Sequence, residues 1–155
     1  GRRYKALRGV VHSPDSARRR KLIMSQPLKI NSAQLVEHAR RQITEVDTPE
    51  AMLMAEQDDV VVVDLRDIRE RERSGFIPGS FHCPRGMAEF WVDPQSPYYK
   101  DIFGRDVTFL FHCASGWRSA ITVLALQNMG MHKIAHLRDG FNSWKESGGP
   151  IEYRS

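Results

Sequence analysis

Two apolar runs without alternation stand out in the hydrophobic pattern of the chain. Residues 60–63 are four consecutive valines, and residues 107–111 read Val-Thr-Phe-Leu-Phe. Because β-branched and aromatic residues favour strands, each run is predicted to be a strand buried on both sides of a parallel sheet. Shorter runs predict further strands at 43–46, 80–83 and 134–137.

Helical spacing and capping signals predict the segments between these strands. At 48–50 the sequence Thr-Pro-Glu supplies an N-cap, a first-turn proline and a first-turn acid, which predicts a helix from 48 to about 56. Gly75 and Gly130 are expected to end the helices that precede them. The predicted helices are 32–42, 48–56, 67–73, 118–129 and 141–147.

This alternation of strands and helices predicts an α/β fold. We expect an open, twisted parallel sheet of about five strands with helices on both faces. Sheets of this kind bind ligands beyond the carboxyl ends of their strands. Cys113 occupies such a position, directly after the second buried strand and shortly before a helix.

The residues that follow Cys113 suit a nucleophilic thiol. The first turn of a helix offers unpaired N–H groups and the positive end of the helix dipole, and both favour a thiolate. Gly116 permits a positive φ angle, so the amides of 114–118 can curl around the sulfur, and Arg118 adds a fixed positive charge. An isolated cysteine is more often a small buried residue, but this order of strand, glycine, arginine and helix predicts an activated nucleophile.

Two anions fit a cradle of this kind: a phosphoryl group under attack by the thiolate, and a sulfane sulfur carried as a persulfide. His112, Cys113 and Arg118 are similar to the signature of cysteine phosphatases, in which five residues separate the cysteine from the arginine. Here only residues 114–117 separate them, which makes a tighter ring sized for a single sulfur atom. The loop also contains no aspartate to protonate a leaving alcohol, although Asp93 elsewhere in the chain stays open for that role. We therefore favour sulfur transfer over phosphate hydrolysis.

Four segments resemble the rhodanese homology family in its single-domain form, and they occur in the expected order. They are Val-Val-Asp-Leu-Arg at 62–66 followed by Glu70, Gly-Phe-Ile-Pro-Gly-Ser at 75–80, His-Cys-Ala-Ser-Gly-Trp-Arg-Ser-Ala at 112–120, and Leu-Arg-Asp-Gly-Phe at 137–141 leading to Trp144. The resemblance covers about 43–150. Phe76 departs from the family pattern, which often has histidine there, but it lies in a turn that defines the fold, so little effect on activity is expected.

The resemblance implies a ping-pong sulfurtransferase with Cys113 as the catalytic residue. The thiolate would take a sulfane sulfur from a small anionic donor such as thiosulfate, or from a persulfide, and pass it to cyanide, a thiol or a protein acceptor. A rhodanese-like module that only binds proteins is a third alternative, which we disfavour because such modules often lack the cysteine.

The same resemblance, together with the predicted strand ends, assigns roles around Cys113. Asp64 is expected to hold the architecture through hydrogen bonds, and Trp117 either contacts substrate or is an exposed aromatic residue without a role. The residues expected to bind substrate are Ala114, Ser115, Gly116, Trp117, Arg118 and Ser119. Arg66 and Arg85 are candidates for lining the mouth, with ordinary surface arginines as the other interpretation.

The net charge of +4 is unevenly distributed along the chain. Residues 1–23 contain eight basic residues and one acid, whereas the rest of the chain has 15 basic and 18 acidic residues. Nucleic-acid binding is therefore not expected of the folded body.

The same division suggests the domain organisation. Residues 1–27 are predicted to be a disordered extension or an added leader, with Met24 as a candidate native start and an organelle transit peptide as another interpretation. Residues 28–42 are expected to form a helix packed on the domain, and 43–155 the rhodanese-like domain.

Cysteine and histidine usage narrows the remaining choices. With only two cysteines, Cys83 and Cys113, a disulfide framework is not expected, and a reducing cytoplasmic setting without membrane association fits better. Each cysteine follows a histidine, but adjacent strand residues point to opposite faces, so we expect neither a metal site nor a cofactor. Cys83 is expected to be a buried small residue, with a resolving thiol as the lesser alternative.

Overall fold

A computed structural model describes residues 25–153 of the chain. A division after Ser32 separates two units, of which residues 25–32 and 33–153 are described. In the first unit, residues 25–31 are exposed and form no helix or strand. The extension predicted at 1–27 thus lies outside the described residues except for 25–27.

Helices and strands alternate through the second unit, as the hydrophobic pattern predicts. The five strands of the described residues are β1 Glu45–Val46, β2 Val60–Asp64, β3 Phe81–His82, β4 Thr108–His112 and β5 Ile134–Leu137. The α-helices are α1 Ser32–Arg40, α2 Thr48–Met54, α3 Ile68–Ser74, α4 Ala88–Trp91, α5 Trp117–Asn128 and α6 Gly140–Glu146. Short 3-10 helices at Arg85–Met87 and Asp101–Gly104, and helix α4, were not predicted, because each is too short to show a hydrophobic period.

The predicted N-cap of α2 is wrong by one residue. Asp47, not Thr48, precedes the helix with extended backbone, and its side chain accepts a hydrogen bond from the N–H of Glu50. Thr48 is buried, and its Oγ1 lies 2.7 Å from Oγ of Ser143 on α6. An aspartate caps at least as well as a threonine, so the earlier residue takes the cap and frees Thr48 to join two helices.

The strands form one parallel sheet in the order β1-β5-β4-β2-β3. The two strands predicted to be buried, β2 and β4, are direct neighbours and pair along their whole length. β4 and β5 are also adjacent, with Phe111 opposite His136. The predicted α/β fold with an open parallel sheet is confirmed.

Alternate residues of the central strands pack against helices on opposite faces of the sheet. Val63 and Phe111 share one apolar cluster with Val123 of α5. Val62 and Leu110 belong to a second cluster, which includes residues of α2 and α6. Because both faces are covered, the central strands can be apolar through most of their length, and the polar residues Asp64 and His112 lie at the carboxyl ends of β2 and β4.

Helix α1 packs beside α5. Its buried residues Val36 and Ala39 form a small cluster with Ala120. This contact brings Arg40, the last residue of α1, toward the loop that precedes α5, where its guanidinium donates to the carbonyl of Arg138.

None of the helices described within residues 25–153 combines the length and the apolar character that crossing a bilayer requires.

Candidate active site

Cys113 lies directly after β4, in the loop that leads into α5. Its side chain is 1% exposed, and its sulfur accepts hydrogen bonds from the backbone N–H groups of Gly116 (3.2 Å) and Ser119 (3.4 Å). Gly116 has φ of 95° and precedes the first residue of α5, as the loop prediction requires. Two amide dipoles at the start of a helix therefore point at the sulfur, where they stabilise negative charge.

The loop is held from behind by the start of α6. The N–H of Phe141 donates to the carbonyl of Cys113 at 2.8 Å, and the N–H of Asn142 donates to that of Ala114 at 3.0 Å. These bonds hold the carbonyl groups of Cys113 and Ala114 against α6, while the amides of Gly116 and Ser119 face the sulfur. Helix α6, which is distant in sequence, thus fixes the orientation of the backbone groups at the start of the loop.

Arg118 is held by a bidentate ion pair with Glu70 of α3, with N–O distances of 2.9 and 3.0 Å. The hydrogen bonds that Arg118 donates to Glu70 raise the pKa of Arg118, and the nearby Cys113 adds to this effect. Glu70 also accepts from the N–H of Asp67 at 2.9 Å and so completes the capping box of α3. One carboxylate therefore caps a helix and positions the arginine of the loop.

Trp117 and Ser115 form the outer side of the loop. Trp117 is 46% exposed, and Ser115 is exposed as well. Both side chains are open to an approaching molecule, so the expected contact of Trp117 with substrate stays a prediction.

A buried charge cluster lies at the carboxyl end of β2. Asp64 accepts from Nε and Nη2 of Arg66 at 3.0 and 2.9 Å, and from Nη1 of Arg71 at 3.0 Å. Burial raises the pKa of Asp64, but positive charge from a protonated His112 and hydrogen bonds from Arg66 outweigh it, so the pKa lies below its usual value. Burial lowers the pKa of His112 itself, so near neutral pH the arginines hold Asp64 ionised.

The buried position of Arg66 contradicts its expected place at the mouth. Its side chain is 2% exposed, and its guanidinium is shared among Asp64, the carbonyl of Gly75 (2.8 Å) and the ring of Phe141 (4.0 Å to the centroid). Here Arg66 neutralises the buried Asp64 instead of reaching solvent, and an unpaired carboxylate at that site would be costly. Arg66 thus belongs to the framework beneath the site.

Arg85 and Cys83 follow the edge strand β3. Arg85 pairs with Glu89 one turn further along, at 2.8 Å, so its charge is already partly engaged. Cys83 is fully buried, and burial raises its pKa to about 12. Because β2 lies between β3 and β4, Cys83 follows a strand that is not adjacent to that of Cys113, which disfavours a resolving thiol.

A line of polar side chains lies on the other side of Cys113; sequence reasoning included Ser119 but missed His136 and Glu45. Ser119 follows Arg118 in α5, and its Oγ lies 3.5 Å from the Cys113 sulfur and 2.8 Å from Nδ1 of His136. His136 Nε2 lies 2.8 Å from a carboxylate oxygen of Glu45 on β1. The available signal was a histidine inside the apolar strand Ile134–Leu137, next to a strand that carries a glutamate.

Among the described residues, no three histidine, cysteine, aspartate or glutamate side chains are grouped as ligands for a metal ion.

The comparison with protein families agrees with this architecture. The sequence profile of the rhodanese-like domain matches residues 47–147. The chain belongs to the rhodanese-like domain family. Helix α1 and strand β1 precede the matched region of this rhodanese-like chain.

Individual relatives of the rhodanese-like chain carry two kinds of description. A protein of unknown function from Rhodopseudomonas palustris, described as a possible tyrosine phosphatase, is 46% identical, with a TM-score of 0.80 over 83% of this chain and 99% of that one. The dual specificity phosphatase Cdc25 of Arabidopsis thaliana is 29% identical over 120 residues, 72% of this chain and 79% of its own.

A thiosulfate sulfurtransferase from Pseudomonas aeruginosa has the same fold, with a TM-score of 0.60 at 24% identity. The match covers 80% of this chain and 23% of that protein. At this level of identity the likeness concerns the fold alone.

We expect Gly116→Ala to destabilise the protein and to suppress alkylation of Cys113. A Cβ at residue 116 would collide with the carbonyl of Arg138, in addition to the strain of a positive φ, which costs about 1–3 kcal/mol. Chemical unfolding and the iodoacetamide rate measure the two effects. Gly148→Ala is the matched control, because its φ is 78° and a Cβ there meets open space. Equal losses for both variants would contradict the proposed collision.

Proposed function

We propose that this rhodanese-like chain is a sulfurtransferase that carries a sulfane sulfur on Cys113 as a persulfide. The observation that supports this most directly is the setting of the Cys113 sulfur, which receives two backbone N–H groups in a loop with only residues 114–117 before Arg118. A thiolate in such a setting needs no cofactor to act as a nucleophile.

The proposed reaction has two half-reactions. In the first, the Cys113 thiolate attacks the outer sulfur of thiosulfate, the S–S bond of the donor breaks, and sulfite leaves with the bonding electrons. In the second, the thiolate of an acceptor, or cyanide, attacks the outer sulfur of the persulfide, and the Cys113 thiolate is released. Small-molecule thiols and protein thiols are both acceptors of suitable chemistry.

In this proposal the charge of Arg118 and the amides of the loop have different roles. Arg118, which Glu70 holds in place, attracts the anionic donor and offsets the charge that develops on departing sulfite. The amides of 114–118 surround the terminal sulfur of the persulfide, and Ser119 hydrogen-bonds its inner sulfur. Trp117 and Ser115 form the rim that the donor passes, and Arg85 is assigned to the outer mouth.

A cysteine-dependent phosphatase is the second candidate, because one relative is described as a dual specificity phosphatase and another as a possible tyrosine phosphatase. In that reaction Cys113 would attack a phosphoryl group, which the loop amides and Arg118 would hold. The length of the loop favours the smaller ligand, since four residues rather than five precede Arg118.

The deciding experiment is to incubate the protein with thiosulfate and to measure its intact mass. We expect a gain of one sulfur atom, located on the Cys113 peptide, absent in Cys113→Ala and lost when cyanide is added. Cys83 should stay unmodified because it is buried with a pKa of about 12. A protein that forms no adduct and instead hydrolyses an aryl phosphate in a Cys113-dependent manner would replace this proposal with the phosphatase; inactivity in both assays would favour a binding module.

A further inference from the structure

A continuous chain of hydrogen-bonding side chains runs from the Cys113 sulfur toward the edge of the sheet. The distances are 3.5 Å from the sulfur to Ser119 Oγ, 2.8 Å from Ser119 Oγ to His136 Nδ1, and 2.8 Å from His136 Nε2 to Glu45 Oε2. Each member touches the next at a polar atom. The sulfur is thereby connected to a carboxylate three contacts away.

The two inner residues of this hydrogen-bonded series are buried from solvent. Ser119 and His136 are both 0% exposed, whereas the side chain of Glu45 is 24% exposed and is paired with Nε of Arg40 at 3.4 Å. A buried imidazole with a hydroxyl on one nitrogen and a carboxylate on the other has the tautomer and orientation of both ring nitrogens fixed. The outer end, near solvent, is where protons can be exchanged.

We infer that Ser119, His136 and Glu45 are a proton relay that carries the thiol proton away from Cys113. The thiol proton moves to Ser119 Oγ while the hydroxyl proton of Ser119 moves to His136 Nδ1. The products are a Cys113 thiolate, an intact serine and an imidazolium whose Nε2–H faces the Glu45 carboxylate. No atom or electron is lost or gained. The inference rests on the proposed role of Cys113 as the nucleophile.

The hydrogen-bond directions differ between the two protonation states. With a thiol, Cys113 donates to Ser119 and Ser119 donates to a neutral His136. With a thiolate, His136 Nδ1–H donates to Ser119, and Ser119 donates to the sulfur. In both states His136 Nε2–H donates to Glu45. Each polar side-chain atom of the relay keeps a hydrogen-bond partner in both protonation states, as a buried relay requires.

The charges around His136 favour a coupled thiolate and imidazolium over an isolated imidazolium. Burial lowers the pKa of His136, and the hydrogen bond to Glu45 and the negative charge of Glu45 oppose this effect. The positive charge of Arg40 on α1 lowers the pKa of His136 further, whereas the negative charge of Asp139 after β5 raises it. Cys113 adds a negative charge on the α5 side only when it is ionised. Ionisation of the sulfur therefore supplies a second negative charge near the buried imidazolium, in addition to the Glu45 carboxylate.

The other buried histidine near the sulfur does not share this geometry. Nδ1 of His112 lies 3.1 Å from the carbonyl of Cys113, and its Nε2 lies 3.8 Å from Asp64, on the face of the sheet that holds Phe141. Its ring thus contacts the backbone, not the sulfur. His136 is the histidine that a hydroxyl connects to Cys113.

The test is the pH dependence of iodoacetamide alkylation at Cys113, read by peptide mass spectrometry. His136→Asn keeps a hydrogen-bonding group near Ser119 but cannot accept a proton, so we expect the half-maximal pH to rise and the rate at pH 7 to fall about tenfold. Glu45→Gln should shift the profile in the same direction by less. His132→Asn is the control, since His132 is exposed and lies before the amino end of β5, whereas the sulfur lies at the carboxyl end of the sheet.

A double-mutant cycle separates relay from packing. In the Ser119→Ala background the relay is already cut, so adding His136→Asn should leave the alkylation profile unchanged. Additive shifts, or a wild-type profile in His136→Asn, would overturn the inference. Because alkylation needs no sulfur donor, this result is independent of whether the protein forms a persulfide.

A second measurement covers the case in which His136→Asn does not fold. Thermodynamic coupling is reciprocal, so in Cys113→Ala the NMR titration of His136 should move to lower pH than in the wild type. Identical titrations of His136 in the two proteins would reject the relay.

Discussion

Asp64→Asn is expected to lower the free energy of unfolding by about 3–5 kcal/mol, the range seen when one partner of a buried ion pair is removed. Asparagine preserves the size of the side chain but removes the charge that neutralises Arg66, which is 2% exposed, and Arg71. Two guanidinium groups would then share a buried site without a counter-ion. Urea unfolding followed by circular dichroism at neutral pH measures this loss.

The pH dependence of the same variant provides a signature. The pKa of Asp64 lies below its ordinary value of 3.8, so its stabilising effect is complete above that value and is lost as the pH falls. The stability difference between wild type and Asp64→Asn should therefore narrow in acid. Asp67→Asn is the matched control, because Asp67 makes an exposed ion pair with Arg69 and asparagine also caps helices well. A similar loss in both variants would refute the assigned role of Asp64.

Arg118→Ala is expected to reduce kcat/KM for thiosulfate by about 100-fold or more, comparable to removing a preorganised group that stabilises transition-state charge. The side chain is 42% exposed, so the fold should persist. The loss should be much smaller for an alkyl hydropersulfide donor, which carries at most one negative charge where thiosulfate carries two, because Arg118 acts on the charge of the donor. In that reaction the Cys113 thiolate attacks the outer sulfur and the alkyl thiolate leaves. The rate of cyanide-dependent thiocyanate formation with each donor, corrected for the rate without protein, measures the difference.

Two further variants test the cause of that loss. Glu70→Gln keeps the charge of Arg118 but weakens its anchor, so its defect should be smaller than that of Arg118→Ala. Arg69→Ala removes an exposed arginine of α3 and should leave the rate unchanged. An equal loss with thiosulfate and with the hydropersulfide would contradict the proposed attraction of the anion.

The parts of the site that are contiguous in sequence could be predicted. Strand β4, Cys113, the left-handed Gly116 and helix α5 occur in one short stretch, so strand propensity, glycine conformation and helix polarity apply without knowledge of the fold. The same holds for the apolar valines of β2, which lie beside β4 as expected of central strands. The roles given to the loop residues stay predictions until they are measured.

Contacts between distant positions could not be predicted from one sequence. Ser119 and His136 are 17 residues apart, and His136 and Glu45 are 91 apart, so only the sheet order brings them together. The expected place of Arg66 failed for a related reason: the end of a strand does not reveal whether an arginine turns toward solvent or toward a buried carboxylate. Thr48 shows the same limit at a helix start, where two adjacent residues could serve as the cap.

The double use of Glu70 has a thermodynamic consequence for ligand binding. Its carboxylate completes the cap of α3 and at the same time holds Arg118. An anion that draws Arg118 toward itself weakens the ion pair between Arg118 and Glu70. Because Glu70 also caps α3, this change affects the stability of the first turn of α3. Affinity for anions and local stability of this helix are therefore linked quantities, so substitutions at the solvent-facing start of α3 should change anion affinity without altering the Cys113 loop.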